Sequence, residues 1–210
     1  MLGAGQHAKV VIDAMLAAGM VRPCALIDSN PQLRGRLVFG VPVVGGDDQF
    51  EQLIRQGVTR FVMGLGSAGN AVVRRRVFEL GRSWGLEPLT VRHPTAICSA
   101  TAQILPGSQI LAGAVVNTDA YLGENVLVNT GAIVEHDCVI GAHTHISTGA
   151  RLAGGVHVGE GSHVGAGAVI RQAIKIGARA VVGAGAAVVD DVDCDVVVAG
   201  VPARPLRSAA

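Results

Sequence analysis

"NTGAIVEHDCVIGAHTHIS", residues 129–147, sets a period that fixes the fold. Val134, Ile140 and Ile146 recur every sixth position, and His136-Asp137 interrupts neighbours that are otherwise small or apolar. Counted outward in sixes, the register starts at Ile104 and runs through Ile110, Val116, Leu122 and Val128. Beyond the quoted stretch it continues through Leu152, Val158, Val164, Ile170, Ile176 and Val182 to Val188, fifteen consecutive hits without an insertion. Four residues after each aliphatic comes another small or β-branched residue: Ser108, Ala114, Ala120, Val126, Ala132, Cys138, and so on to Val192. An amphipathic helix needs a period of 3.6 and a half-buried strand a period of 2, and neither yields sixes. Six residues per flat face and three faces per turn give a triangular parallel β-helix. The aliphatic fills the prism and the small residue leaves room at the bend. With coils about one strand separation apart, ~4.8 Å, five coils span roughly 24 Å. Cys98 and Cys194 extend the register by one step at either end and read as small core residues. Of the six aromatic residues, only Tyr121 lies beyond residue 95, as a narrow interior requires.

Bulk properties exclude several classes. A chain of 210 residues with 50% hydrophobic content can bury real cores in one or two domains. A formal net charge of +1 gives no electrostatic footprint for nucleic acid or an anionic membrane, so neither is an expected partner. Cys24, Cys98, Cys138 and Cys194 form no C-x-x-C and no zinc spacing, which reads as reduced thiols in a cytoplasmic protein. The N-terminus lacks a basic segment followed by a cleavable apolar core. The longest apolar run, "AVVGAGAAVV" at 180–189, is too short to span a bilayer.

Residues 1–92 follow other rules. Segment 7–19 reads as a helix closed by Gly19, 24–28 as a strand, 47–57 as a helix ending at Gly57, 59–66 as a strand and 68–85 as a long helix. Alternating strand and helix argues for a small Rossmann-like α/β domain with a parallel sheet, and Pro94 leads into the prism at 93–210. Gly3-Ala4-Gly5-Gln6-His7-Ala8 fits G-x-G-x-x-A at a helix start, where free N–H groups can hold a phosphate. Only Met1 and Leu2 remain for the strand that should precede it. Either the true start lies upstream or the sheet lacks most of an edge strand.

The prism gives His136 an address. It is third in its hexad, at a turn between faces, so its side chain can project from a corner. Residues eighteen apart stack on one corner, which puts Gly154-Gly155 above His136-Asp137 and Thr118-Asp119 below. Two glycines over the pair open space beside the imidazole and bare backbone N–H groups. A general base needs a neutral imidazole, a carboxylate to fix its tautomer, and access for an acyl donor. A nearby N–H could hold a developing oxyanion. The bland alternative is an ordinary polar residue at a solvated corner. His145 and His163 are eighteen apart on one face; His143 lies on the next turn after His136. A metal shared between prisms, as in the gamma-class carbonic anhydrases, would need two histidines separated by four residues. No pair has that spacing, and no metal is expected.

Four stretches carry a resemblance: "GAGQHAKVVIDAM" at the start, "VNTGAIVEHDCVIG" at 128–141, "HISTGARLAGGVHVGEGSHVGAGAVI" at 145–170 and "VVAGVPARPL" at 197–206. They resemble the NeuD/PglD-type sugar acyltransferases of the hexapeptide-repeat superfamily, and the likeness covers nearly the whole chain. It implies a left-handed β-helix that forms a homotrimer, behind a small nucleotide-sugar-binding domain. It implies acetyl transfer from acetyl-CoA to an amino group, at C4 in this family's pattern, of a nucleotide-linked amino sugar for bacterial surface glycan or glycoprotein synthesis. His136 would be the general base and Asp137, where many relatives have Glu, its orienting partner. His145 and the Gly154 N–H would meet the thioester region of acetyl-CoA, and Ala166 and Ala184 would line its channel. Gly5, Gln6, His7, Asp28, Ser29 and Gly66 fall where the nucleotide sugar is held, with Gln6 standing where relatives commonly carry Gly. The resemblance leaves open whether the nucleotide is UDP, GDP or dTDP. O-acetylation of a sialic acid or another sugar is the nearest alternative. A non-catalytic nucleotide-sugar scaffold is another, although a scaffold has no use for a cleft at His136.

Overall fold

The computed structural model of the chain describes residues 1–67 and 69–206. Ala68, the first residue of the helix read over 68–85, and the tail at 207–210 lie outside the described residues.

One two-residue strand per hexad runs from Ile97–Cys98 to Ala187–Val188. Strands eighteen residues apart pair in parallel and in register, as Val115 with Ile133 and Val116 with Val134. Face one holds the strands from Ile97–Cys98 to Ala187–Val188, and face two those from Gln103–Ile104 to Lys175–Ile176. Face three begins at Val91–Arg92 and continues to Val197–Ala199, where Arg204–Pro205 closes it antiparallel. The ladder residues Val116, Leu122, Val128, Val134, Ile140 and Ile146 point inward with no exposure. Each contributes about 1.5–3 kcal/mol by leaving water. The coil turns at the fourth hexad position, where every residue from Gly107 to Gly185 has positive φ. Glycine takes most of these corners; Asp119, Asn125, Asp137 and His143 are among the exceptions. A left-handed residue with a side chain costs about 1–2 kcal/mol, least for Asn and Asp. Asp137 is therefore held at a strained corner, at φ 58°.

The register slips at the far end. Val192 bridges to Ile176 and Val198 pairs with Val182, so "DDVDCD" at 190–195 closes a coil sixteen residues long rather than eighteen. Cys98 does pack against the prism core, but Cys194 is exposed rather than inward. Counting in sixes carried the ladder past the point where Val192 had already taken the inward place.

In the N-terminal part, α1 (Gln6–Ala17) ends in a Schellman motif. Met20 N–H bonds Met15 O, Gly19 N–H bonds Leu16 O, and Gly19 takes φ 68°. The helix is shorter than the 7–19 reading at its C-terminal end. β1 (Leu26–Ile27) pairs in parallel with β3 (Val41–Gly45), which carries β2 (Leu37–Val38) antiparallel. A 3₁₀ turn at Asp47–Gln49 runs into α2 (Phe50–Arg55). β4 (Arg60–Phe61) pairs with β5 (Glu87–Pro88). The strand read at 59–66 is thus shorter, because the chain from Gly64 onward leaves the sheet. α3 (Val72–Ser83) follows and buries Arg74 and Phe78. Leu2 bridges both Ile27 and Met63 in parallel, and the Met1 ammonium donates to Ala25 O at 2.7 Å. Those two residues occupy the middle of the sheet, where one of the two readings expected an edge.

The two parts pack together along face three. Val11, Met15 and Val62 meet Val91, Leu111 and Leu127 in one apolar cluster. His143 stands edge-on to Phe78 at 5.6 Å, and Arg75–Glu160 and Arg82–Glu124 ion pairs flank the seam. Among the described residues no helix is long and apolar enough to cross a membrane.

Candidate active site

His136 and Asp137 project from the corner that ends face one, with 58% and 66% of their side chains exposed. The imidazole Nδ1 lies 2.7 Å from Asp137 Oδ2. A carboxylate oxygen can only accept, so Nδ1 carries the proton and Nε2 keeps a free lone pair. Asp137, chiefly through that hydrogen bond, raises the imidazole pKa above the ordinary histidine value. The coil contacts Gly155 N–H to His136 O and Asp137 N–H to Thr118 O put the glycine pair above and Thr118-Asp119 below. A Cβ on Gly154 would sit 2.5 Å from His136 Cε1 and Nε2, closer than any real contact. The basic edge of the ring therefore faces bare backbone. Gly154 takes no positive φ, so only space demands glycine there.

The Gly154 N–H donates no hydrogen bond among the described residues. One and two coils below it, preceding side chains cap the corresponding amides. Asn117 Oδ1 accepts from Thr118 N–H at 2.8 Å, and Glu135 Oε2 accepts from His136 N–H at 3.4 Å. Ala153, the residue before Gly154, has no acceptor to offer. Glu135 also accepts from Asn117 Nδ2 at 2.8 Å and adds negative charge beside the imidazole. Neither Asn117 nor Glu135 was singled out from sequence, although they are eighteen apart and the same coil arithmetic pairs them.

His145 sits elsewhere. It is outward on face three and 7% exposed, beneath the loop after Met63. Its Nδ1–H donates to Ser67 O at 2.6 Å, and its Nε2 accepts from Asn129 Nδ2 at 3.1 Å. Asn129 Oδ1 accepts from Thr130 N–H, which fixes the amide orientation. The tautomer follows from the network, and burial pushes the pKa down to about 3. His163 packs edge-on at 4.9 Å, as the eighteen-residue spacing requires. Ala166 and Ala184 share the corner that ends face three, joined by Gly185 N–H to Ala166 O at 2.8 Å. All of face one separates that corner from Gly154, roughly 15–20 Å for six extended residues. One chain thus brings together His136, Asp137 and Gly154, and apart from them His145, Ala166 and Ala184.

The N-terminal group lies on the side of His145. Gly5 is the N-cap of α1 and offers no side-chain cap. Gln6, the first helical residue, is exposed. His7 Nε2 lies 2.9 Å from Gln109 Oε1, and Gln109 Nε2 donates to Met63 O at 2.6 Å, a bridge between the two parts of the chain. Burial lowers the His7 pKa to about 4. Asp28 builds the turn by accepting from Ala4 N–H at 2.8 Å and Asn30 N–H at 2.9 Å, leaving further lone pairs free. Gly66 packs on the His7 ring. A cavity of about 300 Å³ beside these groups is lined by Gly3, Asp28, Ser29, Phe50, Leu65 and Arg76. Arg76 escaped the sequence reading because the cavity comes from packing α3 over the sheet, not from a local motif.

Comparisons with known proteins bear on this arrangement. The family model described as the PglD N-terminal domain matches residues 1–80, and that of the bacterial transferase hexapeptide (six repeats) matches 119–154 and 137–172. No curated protein matches. Among solved structures, PerB from Caulobacter crescentus in complex with CoA and GDP-perosamine is 37% identical, covering 98% of this chain and 95% of that one, with a TM-score of 0.91. Two further structures of that perosamine N-acetyltransferase, with one histidine replaced by Asn or Ala, match equally well. The acetyltransferase domain of PglB from Neisseria gonorrhoeae is 36% identical over 98% of this chain and 97% of that one, at a TM-score of 0.90. The same domain in complex with acetyl coenzyme A is 35% identical, with the same coverage and a TM-score of 0.84.

Proposed function

The chain belongs to the PglD-type hexapeptide-repeat acetyltransferases, acetyl-CoA-dependent N-acetyltransferases of sugars, and from that premise we propose which groups carry the reaction and how its site is completed. Residues 1–92 hold a nucleotide-linked amino sugar through Gly5, Gln6, His7, Asp28, Ser29 and Gly66. Residues 93–210 supply the catalytic corner. The acceptor amine faces His136, whose Nε2 takes its proton as nitrogen attacks the thioester carbonyl. Asp137 holds the tautomer and offsets the imidazolium that forms. The Gly154 N–H stabilises the oxyanion. The tetrahedral adduct collapses, the C–S bond breaks, and the proton from His136 passes to the departing thiolate. No covalent enzyme intermediate and no metal are needed. The observation that carries this reading is the bare backbone of Gly154 against the basic edge of an imidazole already oriented by Asp137.

The site is completed by a second copy of the chain. The nucleotide-sugar residues and His145 lie along face three, and the corner at Ala166 and Ala184 that would line the CoA channel ends it. His136 lies a face-width away. The face between carries an outward row of Ile97, Val115, Ile133, Arg151, Val169 and Ala187, apolar apart from Arg151, of which Ile97 is 66% and Val169 46% exposed. A mostly apolar row on a flat repetitive face suits closed association, and a homotrimer would join the His136 corner of one chain to the Ala166 corner of the next. Incubating the protein with acetyl-CoA and a panel of UDP-, GDP- and dTDP-linked 4-amino sugars, and reading thiol release, tests the activity. Release dependent on one acceptor supports the reading. A panel without release, or release equal in His136→Ala, contradicts it.

A further inference from the structure

Arg74, the third residue of α3, is 1% exposed. Its Nη1 donates to Leu65 O, while Nε and Nη2 have no hydrogen-bond partner among the described residues. Its charge is felt by His7, His143 and His145, which burial holds towards their neutral forms, and no carboxylate acts on it, so none of these supplies a counter-charge. A buried guanidinium without a carboxylate is costly to the fold on its own. Removing it from that state takes an anion, and the backbone above it is arranged to hold one.

The loop after Met63 turns two carbonyls inward. Leu65 O accepts from Arg74, and Ser67 O accepts from His145 Nδ1–H at 2.6 Å. In a trans peptide the C=O and the following N–H point opposite ways. Leu65 O directed at Arg74 therefore sends the Gly66 N–H outward, where it donates to nothing among the described residues. Gly66 lies against His7, beside the start of α1, whose Gln6 and His7 N–H groups are also unpaired among the described residues. Three free amides thus lie on neighbouring backbone, two of them at the positive end of a twelve-residue helix. The buried charge polarises the Leu65–Gly66 peptide towards the same spot.

With the nucleotide sugar's diphosphate on these amides, we infer that Arg74 is a positioning residue for it, acting through the Leu65–Gly66 peptide as its buried counter-charge. The assignment rests on the nucleotide-sugar reading above but names the part of the substrate and the residue beneath it. The test compares the parent with Arg74→Met and Arg74→Lys, using inorganic pyrophosphate as a probe that needs no acceptor sugar. The parent should melt at a higher temperature with millimolar pyrophosphate. Arg74→Met should fold with an unliganded melting temperature no lower than the parent's, because an unpaired buried charge is gone. It should lose the pyrophosphate shift and raise KM for the nucleotide sugar about tenfold or more, with kcat nearly unchanged, as expected for a lost charge-assisted contact. Arg74→Lys should recover most of both effects. A parent that does not respond to pyrophosphate, or an Arg74→Met protein that responds like the parent, overturns the site. Loss of melting temperature and kcat together, without rescue by lysine, would make Arg74 structural. An inactive acceptor panel with an intact, Arg74-dependent pyrophosphate shift would overturn the catalytic reading and leave this site standing.

Discussion

The prism and the α/β part position their functional groups by different means. In the prism each residue's neighbour above is found by adding eighteen, because parallel pairing repeats the same register coil after coil. His136 meets Gly154, Asn117 meets Glu135 and His145 meets His163 by that rule alone. In the α/β part, neighbours come from packing elements of different kind and length. Arg74 reaches Leu65, and His7 reaches Gln109 across 102 residues, with no period to foretell either. A reactive group on a periodic scaffold can be located from sequence; one at a seam between scaffolds needs the fold.

The periodic half is the easier one to break. His136→Ala should lower kcat by about 10²–10⁴, the usual range for losing a general base, while its exposed corner leaves the melting temperature unchanged. Steady-state rates on folded protein check it, and more than half the parent turnover would remove His136 from the chemistry.

Gly154→Val should come next, at about 10²-fold or more, because its side chain occupies the approach to Nε2. Gly161 is a poor control, since it carries φ 68° and would suffer from valine on backbone grounds alone. Ala178→Val is better: the same hexad position, on the corner that ends face two, where near-parent activity is expected. Equal losses in Gly154→Val and Ala178→Val would break the stacking argument.

Asp137→Asn should act more weakly, with a diagnostic sign. His136 works as a base only when neutral, so the rate falls as pH drops through its raised pKa. The asparagine removes the largest cause of the rise, and the acid limb should move to lower pH while the plateau rate drops about tenfold. An unshifted limb in the pH–rate profile would assign that ionisation to another group.

The smallest expected effect belongs to the seam. His7 and His145 have folded pKa values of about 4 and about 3, below the ordinary 6.5. Between those limits the unfolded chain binds more protons, so stability falls as pH drops from about 6.5 towards 4. Replacing His145 with Asn should flatten the melting temperature against pH over that window. An unchanged slope would mean that the seam does not hold this imidazole neutral.

Legibility followed the same division. Fifteen hexads and the space over His136 were readable because each inward residue constrains the one eighteen later. The ladder was overrun at Cys194, because a two-residue shortening at Asp190–Asp195 leaves no mark in composition. One of the two readings of Met1-Leu2 made them an edge remnant because length was the only cue, whereas parallel bridges to Ile27 and Met63 put them centrally. The separation of His136 from Ala166 was already implicit in their thirty-residue offset, which is not a multiple of eighteen. It became visible only when each corner had a face assigned.

That separation is the claim most worth testing. His136→Ala and His145→Ala chains with different tags would be co-expressed, and assemblies retaining both tags assayed for acetyl transfer. If sites form between chains of a ring trimer, each mixed trimer has one intact interface and should recover about a third of parent activity per trimer. Mixed assemblies no more active than either variant alone would contradict a site shared between chains.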